Sequence, residues 1–475
     1  MTSSSSSLKL PLREIPGSYG SSFFGPIKDR YDYFYSQGKD EFFKTRIQKY
    51  NSTVFRTNMA PGPFISSDPR VVAVLDSKSF TILFDNSKVE KKNILDGTYM
   101  PSLSFFGGYR VCAFLDTEEP DHRALKSLFL SFLASSHKKF IPYLRTGLSE
   151  LYENLENEIS DKKSADFNNN SDNMAFDFVF RLVTGVDPSE TKLKSKGPGT
   201  VNTWLALQLA PLGTSGLKFI PNFIDDIIHT VRLPFLVIKS GYKKLYNAVY
   251  DSATTLLDEA EKSGIKRDEA CHNLVFLAAF NAFGGMKVLF PSLIKWIGSG
   301  GESLHRRLAE EIRSVVKEEG DVTFSALEKM PLTKSAVYEA LRIDPPVPFQ
   351  YATAREDIIV ESHDAAFQIK KGETIFGYQP FATKDPKVFQ NPEEFVADRF
   401  VGDGEKLLKY VYWSNARETE SPSADSKQCP AKDLVVLCCR LMLVELFLRY
   451  DTFTAETGQV GLGASVTITS LTKAA

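Results

Sequence analysis

The chain has 475 residues, 43% hydrophobic and 24% charged, with a formal net charge of -2. This is ordinary globular composition, and the near-neutral balance with scattered Lys and Arg gives no electrostatic footprint for nucleic acid. Five cysteines, at positions 112, 271, 429, 438 and 439 and without CxxC or Cys/His spacing, argue against a disulfide framework or a zinc site and favour a reducing compartment.

The N-terminus reads MTSSSSSLKLPLREIPGSYG. It has no apolar h-region, so residues 1–20 are expected to be a tail without a secretion signal, membrane anchor or clear transit peptide. The cytoplasm or a membrane periphery is the expected location. Residues 10–110 are rich in Pro, Gly and aromatics, with β-like runs at Val71–Leu75 and Phe80–Phe84. From Glu119 the apolar spacing becomes helical, and a further helix is expected over about 146–160. DKKSADFNNNSDN then reads as a polar loop, and ETKLKSKGPGT, within 188–200, as a second. Helices are expected over 240–262, 268–290, 303–318 and 333–343, the third starting behind Ser303 and closed by a Gly. Short strands return over 355–377, with a turn at Lys371–Gly372. Apolar runs such as Leu274–Phe283 fall short of the ~20 residues of a transmembrane span. With no internal repeat or linker, the expectation is one large domain over 21–475, mainly α with minor β. The 36 Phe suggest a large apolar interior or a lipid-shaped cavity.

Cys429 lies in a polar loop and is followed by Pro430 and then by the apolar run Leu434–Phe447, which reads as a helix buried on all sides. Pro430 suits a first helical turn. A thiol just ahead of a helix N-terminus is favoured as thiolate, hence as a nucleophile or metal ligand; no local signature supplies a His base. A lone cysteine is otherwise a small hydrophobe.

Glu339 and Arg342 in KSAVYEALRIDPP share a helix face. DPKVFQNPEEFVADRF then brings Arg399–Phe400 ahead of Cys429. This order, E-x-x-R, an aromatic-Arg-Phe segment, then Cys before a buried helix, resembles the haem-thiolate cytochrome P-450 superfamily. The resemblance implies that fold, haem b as cofactor, Cys429 as axial ligand of the iron, and a structural ion-pair cluster of Glu339, Arg342 and Arg399.

The long helix CHNLVFLAAFNAFGGMKVLFP has no Asp, Glu or Thr, where a monooxygenase keeps an acid beside a threonine. The segment before Cys429, YWSNARETESPSADSKQC, is longer and more polar than usual. Together with IPGSYG, FFGPIKDRYDYFY, PGPFIS, DNSKVEKKNILDGTYMPS, GGYRVCAFLD, FNAFGG, YEALRIDPPVPFQY, ESHDAAFQIKKGE and GYQPFATKDPKVF, it makes almost the whole chain similar to the plant-type fatty-acid hydroperoxide-metabolising subgroup. That subgroup comprises allene oxide synthases, hydroperoxide lyases, divinyl ether synthases and epoxyalcohol synthases. Ala352, Ala416 and Ala431 stand where the family has glycine, and a methyl at 431 is expected to crowd a porphyrin.

The resemblance implies C18 fatty-acid hydroperoxides (9- or 13-) as substrates, with no dioxygen, NADPH or reductase. Homolytic O–O cleavage leads to an epoxyallylic radical. Oxidation and proton loss then give an allene oxide; hydroxyl return and C–C cleavage give aldehydes and ω-oxo acids. Asn281 is the expected distal polar group, Lys91 and His122 the expected propionate partners, and Leu95, Phe280, Ala282 and Phe283 the expected substrate pocket. Leu95 and Ala282 lack aromatic or polar groups that favour radical oxidation, so hydroperoxide lyase is placed ahead of allene oxide synthase and epoxyalcohol synthase. A non-catalytic haem or lipid-binding protein, peripheral on a membrane or lipid particle, is the further alternative.

Overall fold

The computed structural model describes residues 10–59, 65–214, 219–461 and 463–474. The start of the expected tail and most of PGPFIS lie outside them. The fold is mainly helical with several small sheets. It falls into two compact units, Met1–Met100 with Pro211–Val231 and Phe349–Val388, and Pro101–Ala210 with Arg232–Pro348 and Phe389–Ala475.

The first unit is built on a five-stranded sheet in the order Val54–Asn58, Arg70–Val74, Thr374–Tyr378, Phe349–Ala354, Val89–Glu90. Val71, Ala73, Tyr351 and Phe376 cover one core with Phe42 and Phe43 of the helix Lys39–Tyr50. Phe43 stacks on Tyr378 with centroids 4.9 Å apart. Such aromatic contacts add to area burial and explain part of the Phe count. A three-stranded sheet joins Leu12–Arg13, Ala366–Ile369 and Ile358–Glu361. Gly372, at φ 85°, makes the turn that leads into Thr374–Tyr378. The run Phe80–Phe84 is not a strand. Asp76 Oδ1 accepts from the backbone N–H of Lys78 at 2.9 Å and Ser79 at 2.8 Å, and this cap starts a 3₁₀-helix at Ser79–Phe84.

The second unit is the helical body. Pro120–Lys162 is one helix of 43 residues, started by Pro at its first turn and ended by Lys163 in the left-handed region at φ 64°. The expected polar loop after it is mostly helix, Phe167–Thr184, capped by the Asp166 carboxylate and stopped by Gly185 at φ 78°. Its amides are used rather than solvated. Asn168 donates to Ala464 O and accepts from Val466 N, tying the helix to the hairpin Tyr450–Gln459/Ala464–Lys473. The second expected loop is partly helical too, since Gly197–Leu209 begins within it. The helix expected behind Ser303 begins earlier, at Gly301, and ends at Gly320 with φ 80°. Arg267–Ser299 runs as one 33-residue helix, long and apolar enough to cross a membrane by length and composition alone. Most of its first segment, Arg267–Val275, is buried core.

Three of the long-range side chains meet at the end of Pro331–Ile343. Glu339 and Arg342 are fully buried, and Arg342 donates to both Glu339 oxygens at 2.7 and 2.8 Å. Arg399 Nε reaches the same carboxylate at 2.9 and 3.0 Å, and the Val396 N–H adds a fourth donor group. The guanidiniums also donate to the carbonyls of Pro392 and Gln390. This cluster fixes the irregular segment after Phe389, where no regular ladder does so. Glu339→Gln leaves two buried guanidiniums undercompensated. It is expected to cost about 3–5 kcal/mol, read as a lower urea midpoint at unchanged slope.

Candidate functional site

Of the five cysteines, four are buried and Cys429 is half-buried. Its helix, Lys432–Arg449, starts later than Pro430 suggests. Pro430 and Ala431 form a turn, Ala431 is the N-cap, and Cys429 precedes the first helical residue by three. The Pro ring fixes one side of this turn and the Lys432 N–H closes it on Cys429 O at 3.3 Å. The result still aims an N–H at the sulfur, that of Ala431. Burial pushes the Cys429 thiol up, and the Ala431 N–H and the Lys126 ammonium act against that push.

The loop ahead of Cys429 is held by ammonium groups rather than by regular structure. Lys126 donates to the carbonyls of Gln428 and of Ser426, the latter at 3.0 Å. Lys427 donates to Ala113 O at 2.9 Å and Leu115 O at 2.6 Å. Lys432 donates to Glu418 O at 2.8 Å, and Tyr338 and Lys432 both engage Glu418 Oε1. Gln428 donates to Arg417 O and Glu420 O. Sequence reasoning missed Lys126, Lys427 and Lys432; the clue was a polar loop running straight into an all-apolar helix. Burial lowers the Lys126 ammonium and pulls Lys427 down to about 8.

One turn before Lys126 on the same helix, His122 is buried and hydrogen-bonds the Ala424 backbone, while its Nδ1 has no partner. Burial, with Lys427 and Lys126 nearby, lowers it to about 4, so the imidazole is neutral. Trp413 Nε1, in the short hairpin Tyr412–Trp413/Ala416–Arg417, is likewise buried without a partner.

Asn281 sits where the long helix changes winding. Phe276–Phe283 is a π-helical segment between two α-helical ones, a form frequent at functional sites. Asn281 is exposed in this otherwise buried stretch and its amide bonds to no described residue; Ala282 beside it is half-buried. A Cβ built on Gly285, four residues on, would meet nothing within 4 Å, so open space runs along this face. Phe280 stacks on Phe276 at 4.6 Å and keeps some surface. Phe283 differs from the expectation. It is fully buried and packs edge-on against Phe176, so it is core rather than pocket wall.

Lys91 and Leu95 belong to the sheet-bearing unit. Lys91 is buried and donates to Gln350 Oε1 at 3.1 Å, which is not the setting of a solvated surface charge. Leu95 is half-buried in a turn closed by its N–H on Tyr99 O at 2.9 Å. None of Ala352, Ala416 and Ala431 has a positive φ, so none occupies backbone that demands glycine. Ala431 stands at φ −96°.

Comparison with known proteins gives the family to which the chain is similar. A family model described as Cytochrome P450 matches residues 302–414. Allene oxide synthase 3 of Solanum lycopersicum is 58% identical over 475 residues, all of this chain and 97% of the relative. The chloroplastic allene oxide synthase of Arabidopsis thaliana is 53% identical over 98% of this chain and 90% of its own length. A divinyl ether synthase of Solanum lycopersicum is 52% identical over the whole of both chains.

The family's cofactor is a thiolate-bound haem, and the residues present fit it. Cys429 is half-buried and offers a soft sulfur with an N–H aimed at it, a donor suited to iron. Cys429 would hold the iron. Cys429→Ser is expected to remove the absorption signature of thiolate-bound haem while the helical circular-dichroism signal persists. Lys126→Met removes the cation beside the sulfur and frees two carbonyls. It is expected to lower haem affinity about tenfold or more, measured by haem titration.

Proposed function

The chain belongs to the plant fatty-acid hydroperoxide-metabolising cytochrome P450 family, and we propose that within it this protein is an allene oxide synthase, a hydroperoxide dehydratase. The observation that carries the reading is similarity to allene oxide synthases along essentially the full length of the chain. The hydroperoxide lyase reading that Leu95 and Ala282 suggested gives way here, because the relatives matched over the whole chain are synthases.

Bound haem supplies homolytic cleavage of a hydroperoxide O–O bond with no reductase or dioxygen. The chain supplies the setting. Cys429 would hold the iron as thiolate, and the Ala431 N–H and the Lys126 ammonium would favour that charged form against burial, which pushes the free thiol up. The Asn281 amide, exposed and otherwise unbonded, donates to the hydroperoxide oxygens and orients them. Cys271–Pro291 contains no Asp, Glu or Thr, so this wall delivers no proton to oxygen. Phe280 and Ala282 border Asn281 with apolar surface and keep water from the carbon radical. The hydroxyl set free by O–O cleavage takes up one electron and one proton from that radical and leaves as water, so the allene oxide is the hydroperoxide less one water and no outside oxidant is needed. A fatty-acid hydroperoxide is then the whole substrate requirement.

Anaerobic incubation with 9- and 13-hydroperoxides of linoleic acid, without NADPH, is expected to give α- and γ-ketols, the hydrolysis products of allene oxide. Aldehydes with ω-oxo acids would restore the lyase, and divinyl ethers would move the protein to the second group of relatives. Asn281→Leu is expected to lower kcat/KM by about 10²-fold at unchanged haem content.

A further inference from the structure

Arg30, on the helix Phe24–Tyr31 of the sheet-bearing unit, is 2% exposed. Its Nε donates to Asp226 Oδ1 at 2.5 Å, and its guanidinium carbon lies 4.6 Å from the centroid of the Phe34 ring. Neither Nη1 nor Nη2 has an acceptor among the described residues. A guanidinium carries five N–H donors, so four of those of Arg30 are buried without a hydrogen bond. Arg342, also buried, behaves differently: all three of its nitrogens donate, to Glu339 and to the carbonyls of Pro392 and Glu394. Buried donors on a charged group are costly to leave unmet, and each one in a folded protein asks for a reason.

The surroundings favour an anion. Asp226 engages Nε alone and leaves the Nη1/Nη2 edge of the fork, which can take a second carboxylate through two parallel bonds. Asp96 is no counter-ion for that edge. Burial raises its carboxyl to about 7, against a Tyr351 hydrogen bond and the charges of Lys39 and Arg30, and its Oδ1 has no partner either. Asp226 keeps 19% of its side-chain surface, so the rim of the site meets solvent. Asp96 is the neighbour of Leu95 in the chain, so Arg30 and the turn expected to carry a pocket wall belong to one unit.

We propose that the Nη1/Nη2 edge of Arg30 binds the carboxylate of the fatty-acid substrate and fixes the head of the lipid. The inference rests on the fatty-acid reading of the function and not on the product branch. A fatty acid is the anion this chemistry selects. Its single planar carboxylate matches the fork, and the methylenes behind it match the Phe34 ring beside the guanidinium. A phosphate ester would bring polar groups to that ring instead. Arg30 thereby becomes a specificity-determining residue, which separates a free acid from its neutral ester.

The test is calorimetric titration of the full-length holoprotein with linoleic acid and with its methyl ester, each kept below its critical micelle concentration. The wild type is expected to bind the acid at least about tenfold more tightly than the ester. Arg30→Met is expected to lose that factor for the acid and to keep the affinity for the ester, so the preference disappears. Arg30→Lys keeps the charge without the fork and falls between. Asp226→Asn removes the carboxylate that shares the guanidinium and is expected to raise the affinity for the acid several-fold with the ester unchanged, a result that stays readable if Arg30→Met does not fold. Equal binding of acid and ester by the wild type, an acid preference that survives in Arg30→Met, an equal loss of both ligands there, or an acid affinity that Asp226→Asn does not raise would each overturn the proposal. Equal binding would leave the fatty-acid reading standing, whereas failure to bind either ligand would remove that reading and the anchor together. Neither ligand carries a hydroperoxide, so no outcome bears on which product the enzyme makes.

Discussion

A loop that presents a sulfur to a ligand must hold still without a ladder of its own, and every buried carbonyl in it needs a donor. Here ammonium groups meet that need. Lys126 and Lys427 between them engage carbonyls of Cys112, Ala113, Leu115, Ser426 and Gln428, and Lys432 engages Glu418. A lysine ammonium carries three donors, so it can close several carbonyls at one point where a backbone N–H closes one. The cost is that the cations are buried, visible in the lowered affinity of Lys427 and Lys126 for their protons. The same Lys126 charge acts against the upward push of burial on the Cys429 thiol, so one residue both holds the loop and bears on its sulfur.

Much of this arrangement was legible in the chain. The apolar run after Cys429, the E-x-x-R spacing at Glu339 and Arg342, and the acid-free run Cys271–Pro291 are local patterns, and local patterns carry fold and cofactor. What was not legible were the long-range partners. The Asn-rich run at 168–170 reads as a loop until the hairpin that Asn168 bonds is in place. Phe80–Phe84 reads as a strand because its composition is β-like, yet the Asp76 side chain redirects the backbone into a 3₁₀ turn. Pro430 marks the vicinity of a helix start but not the start, since the turn to Ala431 intervenes. Phe283 shares its residue type with Phe280 and not its environment, and only packing against Phe176 separates them.

The product branch shows a different limit. Partition of one radical between oxidation and rearrangement is a difference of barriers, and 1.4 kcal/mol shifts it tenfold. A single side chain contributes on that scale, so no one residue decides the branch. The residue-by-residue argument therefore pointed to cleavage, while similarity along the entire chain, which integrates all the walls, points to the synthases.

The π-helical segment Phe276–Phe283 is wound more loosely than the α-helices it joins. Each residue of an α-helix advances the phase by about 100°. Loss of one residue from the loose segment would let it tighten into α-helix and turn its side chains by that angle, while the hydrogen bonds of Arg267–Val275 and Gly284–Ser299 survive. The segment is thus a slack coil in an otherwise rigid rod. Through it, the group presented beside the open face at Gly285 can be exchanged by deleting a residue as well as by replacing one.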